Sequence, residues 1–207
     1  PRDFYKVNRD LTKEFLEICK DKKIKRFIYI SSLVAKEPGI SHYSSSKKQA
    51  EELLDNYRPF MEIIILRPPV IYGPGDKEAA VLFRMTLMGI VFVPGRKDNR
   101  VSMIYVDDLC EAIGACINNN QTNHLIEIDD GKDGGYSWVE LAETAAYVLN
   151  KKIKIIYVPD FILWFLGFLG SVYSFIFSPV MLTLQKVPEI LHQEWISKGH
   201  KINGWKN

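Results

Sequence analysis

Apolar positions recur every third and fourth residue over 4–20, and Leu11, Phe15, Ile18 and Cys19 predict one buried helical stripe there. The pattern then changes. Residues 26–31 are apolar without alternation, as a parallel strand covered on both faces should be. Pro38-Gly39 marks 33–41 as a loop. A second helix is predicted over 43–57, with Ala50, Leu53 and Leu54 toward a sheet and Glu51 and Glu52 toward water. Met61 to Leu66 is another continuously apolar strand, stopped by Pro68-Pro69, which cannot donate to a ladder. A helix over 78–90 precedes short strands at 91–95 and 101–105, separated by the charged turn Arg96 to Arg100. Asp107-Asp108, with Glu111, reads as the capped start of a helix to Asn118. His124 to Asp129 is a strand, and Asp130 to Gly135 a turn. Ser137 and Glu140 form a capping box opening a helix to Leu149, and 153–158 is one more strand, ending at Pro159.

The next stretch breaks the pattern. No charge occurs between Asp160 and Lys186, and 161–178 is apolar all round. As a helix it would be about 27 Å long, close to the thickness of a bilayer core. Three readings stay open: an in-plane membrane anchor, a helix pair buried in the protein or lining an apolar pocket, and a transmembrane span. Leu182 to Ile196 reads as an amphipathic helix with Leu184, Val187, Ile190, Leu191 and Trp195 on its apolar side.

Composition narrows the class. The chain has 207 residues, 47% hydrophobic and 25% charged, enough for one large domain or one and a half smaller ones. A net charge of +2 gives no reason to expect nucleic acid. The basic runs Lys20 to Arg26 and Lys151 to Lys154 each lead into a strand and read as solvated turns. Cys19, Cys110 and Cys116 have no metal-binding spacing and are expected as reduced, buried thiols in a cytoplasmic-type compartment. The four histidines lie far apart, so no metal is expected.

The chemistry concentrates in one place. Tyr43 and Lys47 are four apart and share a helix face. An ammonium beside a phenol favours phenolate, which lets the phenol exchange a proton near neutral pH. Ser31 and Ser32 end the strand just upstream, at the carboxyl edge where ligands bind in open α/β sheets, and Ser32 could hydrogen-bond a substrate oxygen. The bland alternative is a surface tyrosine over a lysine stem. Arg100 could contact an anionic substrate group or be a solvated turn charge.

The surroundings favour the chemical reading. A strand ending Ser31-Ser32, then Tyr43-x-x-x-Lys47, then Leu66-Arg67-Pro68-Pro69-Val70-Ile71-Tyr72-Gly73-Pro74-Gly75, then Val106-Asp107-Asp108-Leu109, resembles the extended short-chain dehydrogenase/reductase family, which includes the NAD-dependent epimerases and dehydratases. The resemblance implies an α/β fold: a partial doubly wound Rossmann-type parallel sheet with a smaller mixed substrate lobe. Residues 1–90 would be the later half of the dinucleotide-binding domain and 91–207 mainly the substrate lobe, including the apolar segment 161–185. It implies NAD or NADP as cofactor. Tyr43 would be the general acid/base, Lys47 would tune it and hold the nicotinamide ribose, and Ser32 would polarise the substrate oxygen. Asn8 would organise the proton relay, although Leu11 and Thr12 stand where the family has Gly-Thr. Ser31, Pro68, Pro69 and Val70 would lie beside the cofactor, with Tyr72 and Arg100 on the substrate side.

No Gly-rich phosphate turn is present in these residues; Gly73-Pro74-Gly75 falls too late and contains proline. The resemblance therefore implies that the first β-α units lie outside this sequence, and that its far end is also clipped. The expected activity is hydride transfer between nicotinamide and a hydroxyl or keto carbon of a small, apolar substrate. The steroid-dehydrogenase-like branch of the family carries a similar apolar segment. A nucleotide-sugar epimerase or dehydratase is the alternative, and a non-catalytic, membrane-associated protein of the same fold the third. A homodimer and a peripheral membrane contact through 161–185 are the partners left open, in a cytoplasmic, membrane-associated setting.

Overall fold

A computed structural model of the chain describes residues 2–97, 99–118, 125–177, 180, 182–202, 204 and 205. The first helical stretch is α1 (Arg2–Tyr5), a π-helical turn (Lys6–Leu11) and α2 (Thr12–Asp21). The buried stripe differs from the expected one. Thr12 and Leu16 are buried and Cys19 half-buried, whereas Leu11, Phe15 and Ile18 are exposed. The face that meets the core is one residue along from the apolar run, because contact with the sheet, not the period, decides which side is covered.

β1 (Arg26–Ile30) leads through a 3-10 turn (Leu33–Lys36), inside the expected loop, to α3 (His42–Asp55). β2 (Glu62–Arg67) and β3 (Val70–Tyr72) flank the proline pair. α4 (Lys77–Leu87) is capped by Asp76, whose Oδ1 accepts from Glu78 N at 2.8 Å, and gives way to β4 (Ile90–Pro94) at Gly89, which has φ +78°. β5 (Arg100–Val101) and β6 (Met103–Tyr105) divide what the sequence presents as one strand. α5 (Val106–Asn118) carries Asp107 and Asp108 in its first turn, where they oppose the helix dipole.

β7 (Leu125–Glu127) and β8 (Tyr136–Ser137) follow; His124, expected to open the β7 strand, lies outside the described residues. α6 (Trp138–Val148) has the expected capping box: Glu140 N donates to Ser137 Oγ at 3.1 Å and Ser137 N to Glu140 Oε2 at 2.6 Å. Then come β9 (Lys154–Val158), α7 (Asp160–Ile176), α8 (Val187–Leu191) and β10 (Glu194–Trp195). The long amphipathic helix expected over 182–196 does not form. Pro188 lacks an N–H and sits in the first turn of α8, so a helix cannot run through it from Leu182.

The chain divides into two compact units, residues 1–71 with 103–131 and 197–207, and residues 72–102 with 132–196. In the first, β1, β2 and β7 form a parallel sheet with β2 central, in register Ile30↔Leu66 and Leu66↔Ile126. Ile63 and Ile65 of β2 face one core layer with Leu16, Ala50 and Leu54; Ile64 and Leu66 face the other, with Ile104, Leu109 and Ala112. Both faces of β2 are thus covered by helices, which is why it reads as continuously apolar. β1 reads the same way but is mostly half-buried, with only Tyr29 fully enclosed. Of the cysteines, Cys116 is buried and Cys19 half-buried, but Cys110 is exposed, contrary to expectation; six residues apart on α5, Cys110 and Cys116 point to different sides.

In the second unit, β4 and β9 pair in parallel, Ile90↔Lys154 to Pro94↔Val158. Val91 and Val93 pack with Leu82, Met85, Trp138 and Ala142 on one face, while Ile90 and Phe92 of the other face are exposed. β5 pairs in parallel with β10 and antiparallel with β8. The apolar stretch forms α7, which stays largely exposed. Among the described residues no helix is long and apolar enough to cross a membrane.

Candidate active site

Backbone bonding continues past the ends of β1 and β2. Ser31 N donates to Leu66 O at 2.7 Å and Leu33 N to Pro68 O at 2.9 Å. The two strand ends therefore stay side by side at the carboxyl edge of the sheet. Ser32 adopts extended geometry, φ −157° and ψ 152°, before the 3-10 turn. It is half-buried, and among the described residues no group takes up its hydroxyl.

α3 brings the tyrosine and lysine to this edge. Ser41 and Ser44 cap it reciprocally, so the helix begins one residue before Tyr43. Lys47, one turn on, donates from Nζ to Ile30 O at 3.0 Å, which ties α3 to the end of β1. The same Nζ lies 5.3 Å from the Tyr29 ring centre and 6.0 Å from that of Tyr43. Burial lowers the Lys47 pKa, opposed by the charge of Glu51. Tyr43 is half-buried and packs against Phe4, ring centres 5.6 Å apart.

Asn8 sits in the π-helical turn, a feature often found at functional sites. Its Nδ2 donates to Ser46 Oγ at 2.9 Å, and Ser46 Oγ donates to Tyr43 O at 2.8 Å. The Asn8 carbonyl accepts from Thr12 Oγ1 at 2.8 Å and, at 3.4 Å, from the Tyr29 hydroxyl. Burial pushes the Tyr29 pKa up to about 12, so this hydroxyl stays a donor. Asn8, Tyr29, Tyr43 and Lys47 are thereby gathered on one side of the sheet.

Glu51 is the residue that the sequence pattern misplaces. It does not face water; it is 3% exposed. Arg67, at the end of β2, donates to it through Nε at 2.8 Å and Nη2 at 2.6 Å, and Ser31 Oγ donates to Glu51 Oε1 at 2.6 Å. Arg67 Nη1 also lies 3.7 Å from the buried Glu127, which Lys36 approaches to 3.3 Å and to which Lys198 N donates at 3.0 Å. The signal was available: Glu51 is four residues after Lys47 and eight after Tyr43, hence on their helix face, and Arg67 ends an otherwise apolar strand. Ser31 is thus engaged with Glu51, and Pro68 is buried with its carbonyl taken by Leu33, while Pro69 is half-buried and Val70 exposed.

Tyr72 and Arg100 belong to the second unit. Arg100 makes three hydrogen bonds there, through Nε and Nη2. Its Nε donates to Gly134 O at 2.6 Å, and Nη2 to Gly135 O at 2.9 Å and to Glu140 Oε2 at 3.3 Å. These bonds hold the turn before α6, and the side chain remains 38% exposed.

The chain is 34% identical over 193 residues to the ceramide reductase of Caulobacter vibrioides, covering 93% of this chain and 60% of that protein. It is 28% identical over 191 residues to the UDP-glucose 4-epimerase of Vibrio cholerae, covering 83% of this chain and 57% of that one. It spans about 60% of the length of the curated relatives it matches. Among solved structures, the UDP-glucuronic acid 4-epimerase of Bacillus cereus in complex with NAD superposes with a TM-score of 0.66 at 20% identity, over 76% of this chain and 59% of that one. The UDP-glucose 4-epimerase of Thermotoga maritima gives 0.65 at 21% identity, over 75% and 57%. These structures share the Rossmann-type α/β fold. The profile of the NAD dependent epimerase/dehydratase family matches residues 1–128, and the chain belongs to that family.

Proposed function

We propose that the full-length protein is an NAD(P)-dependent oxidoreductase that interconverts a hydroxyl and a keto carbon on an apolar, lipid-like substrate. The observation that carries the reading is Lys47 bonded to Ile30 O beside the Tyr43 ring at the carboxyl edge of a parallel sheet. The cofactor would supply or accept the hydride. The donor set suits its nicotinamide end: a lysine for ribose hydroxyls, and a strand edge whose Pro69 and Val70 keep accessible surface. NAD is the form bound in the Bacillus cereus epimerase complex.

In this reading Tyr43 gives or takes the proton at the substrate oxygen. Lys47 stabilises the phenolate by its charge. Ser32, whose hydroxyl is not engaged, hydrogen-bonds the same oxygen. Asn8 holds α3 through Ser46, and its carbonyl faces the buried Tyr29 hydroxyl. Residues 1–90 serve the cofactor, and the later chain mainly the substrate.

The similarity to a ceramide reductase favours an apolar substrate over a nucleotide sugar. A second copy and a membrane surface complete the proposal as partners, in a cytoplasmic, membrane-associated setting. For the second copy, Phe4, Val7, Leu11, Phe15 and Ile18 form a narrow exposed stripe at spacings of three and four, the width one antiparallel helix can cover.

The test is a fluorescence titration of the full-length gene product with NADH and NADPH, with turnover measured on long-chain keto-lipids and on UDP-sugars. The reading expects nicotinamide binding and keto-lipid reduction, with Tyr43→Phe binding cofactor but not turning over. Turnover confined to UDP-sugars would overturn the substrate class, and Tyr43→Phe retaining full activity would overturn the site.

A further inference from the structure

α7 has no polar face of its own. Its closed side is a seam of Leu163, Gly167, Gly170, Ser171 and Ser174. The seam is held by the following segment. Leu184 N donates to Ser171 Oγ at 2.9 Å, and Ser171 Oγ to Gly167 O at 2.9 Å. The fit is close: a Cβ on Gly167 would lie 2.6 Å from Val187 Cγ2, and one on Gly170 would run into the Leu182 carbonyl.

Every other helical position from Phe161 to Ile176 is exposed, and every one is apolar or aromatic. At 100° per residue these positions cover about 200° of the helix circumference. Phe161 is 72% exposed and Phe175 92%. A packed helix of another protein covers a stripe of about 100°. It would leave roughly half of this arc in water. Lipid chains conform to an arc of any width. The arc therefore selects a bilayer over a second copy of the chain, in contrast to the narrow stripe on α1 and α2.

The charges agree. Between 151 and 189 the cations are Lys151, Lys152, Lys154 and Lys186, against Asp160 and Glu189, and of these Lys186 is paired with Glu189 at 3.3 Å. Lys97 Nζ sits 5.3 Å from the ring centre of Tyr157, three residues before α7 begins. Such lysines can lay their stems along apolar surface and put their charges among anionic headgroups. α7 is 17 residues long, too short and too closely backed by its return segment to be read as a span.

We propose that α7 lies in the plane of an anionic bilayer surface, its 200° apolar arc in the acyl boundary and its glycine-serine seam turned to the 182–187 segment. This deepens the membrane contact proposed above and is independent of the chemistry at Tyr43. A protein so seated meets a substrate with acyl chains at the interface, without drawing it into water.

The test uses the full-length gene product and sedimentable vesicles of phosphatidylcholine, with and without phosphatidylglycerol. The protein is expected to pellet with vesicles, more with phosphatidylglycerol and less as salt rises. Phosphatidylcholine brominated on its acyl chains should quench tryptophan fluorescence, and Trp164→Phe should remove most of that quenching, because Trp164 is the exposed tryptophan of the arc. Phe165→Ser with Phe168→Ser should weaken partitioning at least about tenfold, while Phe165→Leu should retain it. Cofactor binding reports that the variants are folded; if no variant binds cofactor, circular dichroism does so. Protein that stays in the supernatant with both vesicles overturns the proposal. So does pelleting that survives the double serine variant, or a Phe165→Ser change that dissociates a dimer by light scattering. Equal binding to both compositions overturns the anionic assignment.

Discussion

Arg67→Met in the full-length protein is expected to cost about 3–5 kcal/mol of stability, the cost of removing one partner of a buried ion pair. The Arg67 side chain is 9% exposed and that of Glu51 3%. Two charge-assisted bonds, at 2.8 and 2.6 Å, join them. At about 1.5–3 kcal/mol each, these bonds account for a loss of the same size. The methionine leaves Glu51 with only Ser31, and Glu127 without its nearest buried cation. Removing both charges in Glu51→Leu/Arg67→Met leaves no unpaired charge at that site, only the Ser31 hydroxyl without its acceptor, and Glu127 keeps Lys36 and the Lys198 amide. The double variant should therefore recover a large part of the loss instead of adding to it. Urea unfolding followed by circular dichroism measures both quantities. In a thermal scan the single variant should melt several degrees lower than the wild type. A single-variant loss below about 1 kcal/mol, the worth of an exposed pair, would refute the buried-network account. Strict additivity in the double variant would refute it equally.

Three further outcomes follow from the site and the α7 seam. Tyr43→Phe should abolish turnover of the full-length enzyme while leaving its nicotinamide affinity within about threefold, since one exposed-side hydroxyl contributes about 0.5–1.5 kcal/mol at most to binding; a large affinity loss would mean the phenol holds the cofactor instead. Tyr29 should titrate late, near 12, in the ultraviolet difference spectrum, against 10.0 for an ordinary tyrosine. Because the folded form keeps the proton longer, its contribution to stability is whole below pH 10 and is lost as pH rises toward 12; Tyr29→Phe should flatten that part of the stability profile. Gly170→Ala should cost about 1–3 kcal/mol by overpacking against the Leu182 carbonyl, and hydrogen exchange should rise at 182–187; unchanged exchange there would show that the seam is not tight.

The α/β class was readable because β2 is covered on both faces, so its sequence carries no alternation and strands of this kind belong to parallel sheets. The cap at Ser137 was an equally local signal. What escaped depends on tertiary choice. The apolar stripe of α2 has the right period but lies on the wrong side, since periodicity gives a helix face without saying which neighbour covers it. Residues 101–105 look like one strand, yet Val101 pairs with β8 and β10 while Met103 to Tyr105 pair with β3. At 182–196 a local signal was present and outweighed by the stripe: Pro188 forbids a continuous helix whatever the hydrophobic pattern.

The site shows the same division, and Glu51 shows why. Tyr43 and Lys47 are legible because the strand ending Ser31-Ser32 and the Leu66 to Gly75 segment on either side single the pair out. Glu51, on the same face, looks like a solvated helix carboxylate, and its burial becomes sensible only when Arg67 arrives from a strand 16 residues on. The consequence reaches Lys47. The ammonium is desolvated at the end of β1, which pulls its pKa down, and the buried carboxylate one turn along the helix opposes that pull. Without Glu51 the lysine pKa would fall further, because the desolvation would act unopposed. The buried ion pair therefore stands behind the proposed site twice: Glu51 anchors Ser31 beside Ser32, and its charge favours the ammonium of Lys47 beside Tyr43.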